Sequence, residues 1–92
     1  MKHNCFSCDR ELEQFEWSDS DPHPSDGLHF RTYGHYGSTV FDPMDGSKFL
    51  DIVICDLCIL ENLNRAMGTG VESIEKNKES HMKIAKECLD AQ

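Results

Sequence analysis

The chain has 92 residues, with 17 Asp and Glu against 9 Lys and Arg and a formal net charge of −8. That balance disfavours autonomous binding to nucleic-acid phosphates, which draws its affinity from clustered Lys and Arg, and no run approaches the roughly 18 apolar residues of a membrane span. A chain this short buries only about two-thirds of the surface its unfolded state exposes, so a staple is expected. The opening MKHNCFSC lacks the apolar stretch of a secretory signal; with five cysteines, this predicts a reducing, cytoplasmic setting in which paired cysteines serve metal or redox chemistry rather than disulfides.

From the N-terminus, Cys5 and Cys8 form a first CxxC pair, and Phe15 and Trp17 alternate with Gln14 and Glu16 as in a half-buried strand. SDSDPHPSDG, Ser18 to Gly27, is acidic and turn-forming and reads as an exposed, mobile loop. Leu28, Phe30 and Thr32 then alternate with His29, Arg31 and Tyr33; Val40 and Phe41 lie in a short β-prone run; Leu50, Ile52 and Ile54 alternate with Phe49, Asp51 and Val53. GHYG (34–37) and DPMDG (42–46) separate these runs with turn chemistry, which predicts a three-stranded antiparallel meander.

The remainder reads as helical. Leu60, Leu63 and Met67 recur at helical spacing from Asp56 onward, and Gly68 to Gly70 ends that run. A second helix is predicted to start near Ser73 or just before it, with a broken stripe of Ile74, His81, Met82, Ala85, Cys88 and Leu89, into which Asn77 and Lys78 intrude. The expected organisation is an α+β domain at 1–70, a zinc-binding meander plus helix, with a C-terminal helical extension at 71–92. Cys88 is expected to be a small buried hydrophobe on that stripe, or to sit in a homodimer interface formed by the C-terminal helix.

Chemistry concentrates at Cys5, Cys8, Cys55 and Cys58. Two CxxC pairs complete a tetrahedron suited to one structural Zn²⁺, and four thiolates leave no position for a catalytic water; rubredoxin-like iron is the other occupant weighed. The 46 residues between Cys8 and Cys55 are what a meander would occupy. Backbone N–H groups of the two knuckles, with Lys2 or Arg10, are expected to offset the negative charge. A redox dithiol would want an exposed low-pKa thiol and a βαβ context, which the pattern lacks. His23, His29 and His35 with Asp19, Asp21 or Asp26 could offer a second metal site, although solvated loop histidines are the ordinary explanation; no nucleophile-elbow pattern surrounds Ser38.

CFSC near the N-terminus, a β-hairpin, and a strand running into ICDLCILENLNRA resemble a treble-clef zinc finger, in which the first turn of a helix supplies the second ligand pair. The likeness covers about residues 3 to 67 and extends to zinc ribbons and to small zinc-finger proteins of bacteria and their phages. Where ribbons often carry Gly after the second knuckle cysteine, this chain has Asp9. The resemblance implies a metal-stapled binding module without naming its ligand.

Tyr33, His35, Tyr36, Phe41 and Met44 are the predicted contact surface, because aromatic and Met side chains on loops have the composition of protein-binding hot spots. The expected function is a non-enzymatic, zinc-stabilised protein-binding module, in the manner of a phage or mobile-element adaptor or inhibitor of a host complex, facing a protein with a basic surface. The alternatives are a nucleic-acid-associated zinc-finger protein and a small redox or hydrolytic enzyme.

Overall fold

The computed structural model describes residues 2–15, 21–43 and 46–91. Two antiparallel hairpins and three α-helices make an α+β fold: β1 (Lys2–Asn4), β2 (Glu11–Glu13), β3 (Gly27–Thr32), β4 (Leu50–Cys55), α1 (Asp56–Glu61), α2 (Gly70–Lys76) and α3 (Lys78–Asp90), with a 3₁₀ turn at Leu63–Arg65. β1 pairs only with β2 and β3 only with β4. Among the described residues the buried apolar side chains are Cys5, Leu12, Val53, Cys55, Cys58, Leu60, Leu63, Ala85 and Leu89.

The predicted three-stranded meander is therefore corrected to two separate two-stranded sheets. Val40 and Phe41 do not join a ladder, and Val40 is 91% exposed. The cause is local. The Ser38 hydroxyl accepts the N–H groups of both Val40 (3.1 Å) and Phe41 (3.0 Å), so the donors a strand would need are consumed by the turn. Pro43 then offers no donor at all. The described residues between β3 and β4 thus contain no strand, and the N–H of His35 donating to the Phe41 carbonyl (3.2 Å) pins their first part.

The alternation at 28–32 and 50–54 does form strands, in the register Leu28↔Ile54, Phe30↔Ile52 and Thr32↔Leu50. Residues directly opposite in an antiparallel pair share a face. One face of this ribbon carries His29, Arg31, Asp51 and Val53, and its buried Val53 packs with Leu12 and the knuckle cysteines. Gly27 lets the hairpins approach. A Cβ there would stand 2.8 Å from Leu12 Cδ1 and 2.9 Å from the Ile54 carbonyl oxygen.

The acidic segment before β3 is less free than its composition predicts. Ser25 N–H donates to the Glu13 carbonyl (2.7 Å) and Phe15 N–H to that of His23 (3.1 Å), around a bridge between Gln14 and Pro24. Pro24 is buried. Residues 23–25 thereby continue the hairpin along β2, a place where proline's missing N–H is tolerated at a sheet edge. Trp17 and Ser18 to Ser20 lie outside the described residues.

The first helix is shorter than its apolar spacing predicts. It ends at Glu61, where the Asn62 side-chain amide donates to the Cys58 carbonyl (3.0 Å) alongside its own backbone N–H (3.1 Å). Such side-chain competition favours helix ends. Met67 is 95% exposed. The second helical segment begins at Gly70 rather than near Ser73 and breaks at Asn77, where the backbone leaves helical geometry (φ −121°, ψ 28°). α3 packs on α1 through Ala85 and places Leu89 in the same cluster as Cys5 and Leu12. Cys88 is exposed, not buried as expected: of the α3 stripe only Ala85 and Leu89 are buried, and Cys88 lies at the edge of that face. Among the described residues no helix is long and apolar enough to cross a membrane.

Candidate metal centre

The β1–β2 hairpin and the β4–α1 junction each deliver one cysteine pair. In the first, Cys5 N–H donates to the Arg10 carbonyl and Asp9 N–H to that of Cys5, both at 2.8 Å, folding CFSC into a tight knuckle. Asp9 sits at φ +66°, the left-handed region that favours glycine. Asp tolerates it better than most residues, and Asn4 Nδ2 holds it through Asp9 Oδ1 (3.0 Å) and the Asp9 carbonyl (3.2 Å). The departure from Gly at this position therefore leaves the knuckle intact. Asp9→Gly is expected to leave stability and metal affinity nearly unchanged, whereas Asp9→Val should cost about 1–2 kcal/mol; urea unfolding with metal saturating measures both.

In the second pair, Cys55 ends β4 and stands just before α1 in extended geometry (φ −70°, ψ 155°), and Cys58 lies in the first turn of that helix. Phe6 N–H donates to the Val53 carbonyl (2.7 Å), fastening the knuckle to β4. The Sγ atoms of Cys5, Cys8, Cys55 and Cys58 then all lie within 4.8 Å of one another. Sulfurs bound at about 2.3 Å to one tetrahedral ion stand about 3.8 Å apart, and Cys8 Sγ is 3.8 Å from Cys55 Sγ. The quartet can hold a metal ion. Among the described residues it is the only group of three or more His, Cys, Asp or Glu side chains so arranged.

The electrostatics fit an incoming cation. Burial works against a thiolate at Cys5, but the backbone N–H groups of Cys55, Cys8 and Ser7, together with the Cys8 side chain, outweigh it and bring its pKa down to about 6. The Cys55 N–H lies 3.3 Å from Cys5 Sγ. Burial pushes the Cys55 and Cys58 thiols up. The polypeptide alone thus favours charge at one sulfur and opposes it at two others, a deficit that a divalent cation corrects by displacing protons. The predicted help from Lys2 and Arg10 is not what these side chains give. Lys2 Nζ pairs with Glu11 (3.3 Å) and Glu13 (3.5 Å), and Arg10 Nη1 lies 3.9 Å from Asp90 Oδ1, tying the end of α3 to the knuckle. Sequence reasoning missed Ser7, whose side chain favours the charged form of the Cys58 sulfur and so works against the upward push of burial.

The predicted contact residues do not form one cluster with the metal centre. Tyr33 is half-exposed and packs on Phe49 at 5.9 Å between centroids. His35 is exposed, its Nδ1 accepting the Gly37 N–H (3.0 Å). Tyr36 is 88% exposed and Phe41 half-buried; Met44 lies outside the described residues. A feature hidden in the net charge also emerges. α3 brings Lys78, Lys83 and Lys86 around one shallow hollow with Glu79 and Met82, a local basic face on an acidic chain.

Behind the ribbon, Arg31 forks onto Asp51 (Nε–Oδ1 2.7 Å, Nη2–Oδ2 3.0 Å), reaches Asp21 (2.9 Å), and lies 4.1 Å over the Phe49 ring. The Arg31 hydrogen bonds, and less strongly His29, hold the Asp51 carboxyl down to about 2. A depressed carboxylate stabilises the fold above its unfolded value of about 4 and loses that contribution as pH falls toward 2. Arg31→Met should therefore move the acid-induced loosening of the ribbon toward pH 4, as read by a carboxyl NMR titration of Asp51. No family model, curated protein or solved structure matches this chain.

Proposed function

We propose that the protein is a non-enzymatic, zinc-stabilised binding module for another protein, built on a treble-clef-type metal centre. The observation that carries this is the closed donor set. Four thiolates, three of them buried, fill a tetrahedral ion's coordination and leave no position for substrate or water. Zinc suits four sulfur donors best. A redox role is poorly served, because the one sulfur with a lowered pKa, Cys5, is 2% exposed.

The contact surface in this reading is the 33–49 connection, which displays Tyr36 and Val40 almost fully to solvent. The overall acidity suits a target with a basic surface, whose electrostatic attraction speeds encounter. An adaptor or inhibitor that occupies a basic groove of a larger host assembly is the role this combination serves. Affinity capture with the zinc-loaded chain and with Tyr36→Ala/Val40→Ser tests it. The expected result is loss of a specific captured protein at unchanged zinc content; capture unaffected by the double substitution removes this surface from the proposal.

The lysine hollow on α3 favours a second reading, association with nucleic acid inside a larger complex. Three lysines neutralise few phosphates, so binding by the isolated chain should be weak, with a shallow salt slope of about −3. A mobility shift at low salt that vanishes in Lys83→Glu would support it.

A further inference from the structure

The face of the β3–β4 ribbon opposite Arg31 and Asp51 is formed by Leu28, Phe30 and Thr32 against Ile54, Ile52 and Leu50. None of these is charged, and among the described residues no helix or strand lies across the central part of the face: Phe30 is 42% exposed and Leu50 49%, while Leu28, 47% exposed, shares a hollow with Ile74 of α2 and Ile84 of α3. Ile54 alone of the six reaches the buried cluster.

Two observations bear on what covers it. The first is area. The chain exposes 7039 Å², about 1,600 Å² more than a compact monomer of its mass, and its radius of gyration of 14.7 Å exceeds the roughly 12 Å of a compact domain of this length. A stable dimer needs about 800 Å² from each partner. The second is charge. Ile59 of α1 stands at the helix end of the face, with Asp26, Asp56 and Leu28 on its β3 side, in a hollow that His81 and Ile84 of α3 also line, and Arg65 and Ile54 on the other. A two-fold axis lying in the face along the strands sets the Arg65 flank of one copy over the Asp26–Asp56 flank of the other. Both flanks then meet opposite charge while the uncharged centres stack.

We infer that the occupant is a second copy of this chain, docked ribbon to ribbon into a two-fold dimer. The surface is distinct from the C-terminal helix considered from sequence, and it does not depend on the protein-binding reading above. It also explains how a chain with net charge −8 can self-associate, since the contact itself carries its own compensation.

Sedimentation equilibrium of the zinc-loaded chain is the test. A concentration-dependent dimer with a dissociation constant of about micromolar or tighter is expected. Leu50→Lys and Phe30→Lys should weaken it at least tenfold with far-UV circular dichroism and zinc content unchanged, Arg65→Glu should weaken it at least threefold, and Val40→Ser should leave it as it is. Should the ribbon substitutions unfold the chain, isotope-filtered NOEs in a mixed labelled and unlabelled wild-type sample decide, with contacts from Phe30 to Ile52 or Leu50 of the other copy expected. A monomer at every concentration, a dimer indifferent to Leu50→Lys in a folded chain, or intermolecular NOEs confined to α3 overturns the inference.

Discussion

Stripping the metal from this protein should abolish its cooperative fold. Structural zinc contributes on the order of 10 kcal/mol in small thiolate sites, comparable to the entire 5–15 kcal/mol by which domains are stable. Here the effect is sharpened by the composition of the core, since Cys5, Cys55 and Cys58 are themselves part of the buried cluster with Leu12, Val53 and Leu89. With no ion, burial holds Cys55 and Cys58 as neutral thiols, and no bond joins the N-terminal cysteine pair to the second. Thermal scans by far-UV circular dichroism should show one sharp transition in the loaded form, none after exhaustive chelation, and recovery on adding one equivalent of Zn²⁺. Cys55→Ser should behave like the chelated form, while Cys88→Ser, altering an exposed thiol outside the quartet, should keep full stoichiometry by native mass spectrometry. An unchanged melting curve after chelation would show that the sulfurs are merely neighbours.

The next largest effect is expected at the contact between the two hairpins. Leu12 is fully buried, and its Cδ1 approaches the space where a Cβ on Gly27 would stand. Leu12→Ala should cost about 2–5 kcal/mol through lost burial and the cavity left behind. Gly27→Ala should cost about 1–3 kcal/mol by overpacking, because the added carbon meets Leu12 at 2.8 Å and the Ile54 carbonyl at 2.9 Å. The double variant should lose less than the sum of the two, since removing the leucine relieves one of these clashes but not the other. Urea denaturation of the four proteins with zinc saturating gives the coupling directly. Strict additivity would mean the hairpins do not press on each other as described.

What the sequence revealed follows from which signals are local. The CxxC spacing at 5–8 and 55–58 and the alternation on either side of Phe30 and Ile52 are each written within a few residues, and each has its counterpart in the structure; the intrusion of Asn77 and Lys78 into the apolar stripe reads as lying within one helix, where the structure ends α2 and starts α3. The β1–β2 hairpin was harder to see. Its strands are three residues each, and its only inward side chain on β2, Leu12, is flanked by Glu11 and Glu13. The missing middle strand has the opposite explanation. Val40 and Phe41 have strand propensity, but propensity yields to the Ser38 hydroxyl, which captures both of their backbone donors. Pro24 misled through composition: a proline in an acidic run looked like a loop, yet it closes the bridge with Gln14. Alternation could not say which face of β3 would be covered, because Leu28, Phe30 and Thr32 fit a buried face as well as the half-open one they occupy.

The connection at 33–49 leaves the ribbon at Thr32 and returns to it at Leu50, a directly paired position, with Tyr33 packed at a tilt against Phe49 across its base. Its two roots are thus clamped side by side regardless of what lies between them, and doubling a flexible loop's length costs only about 0.6 kcal/mol in closure entropy. Evolution or an engineer can therefore exchange the whole excursion as a cassette, changing the side chains it displays while the body that carries the four cysteines stays the same.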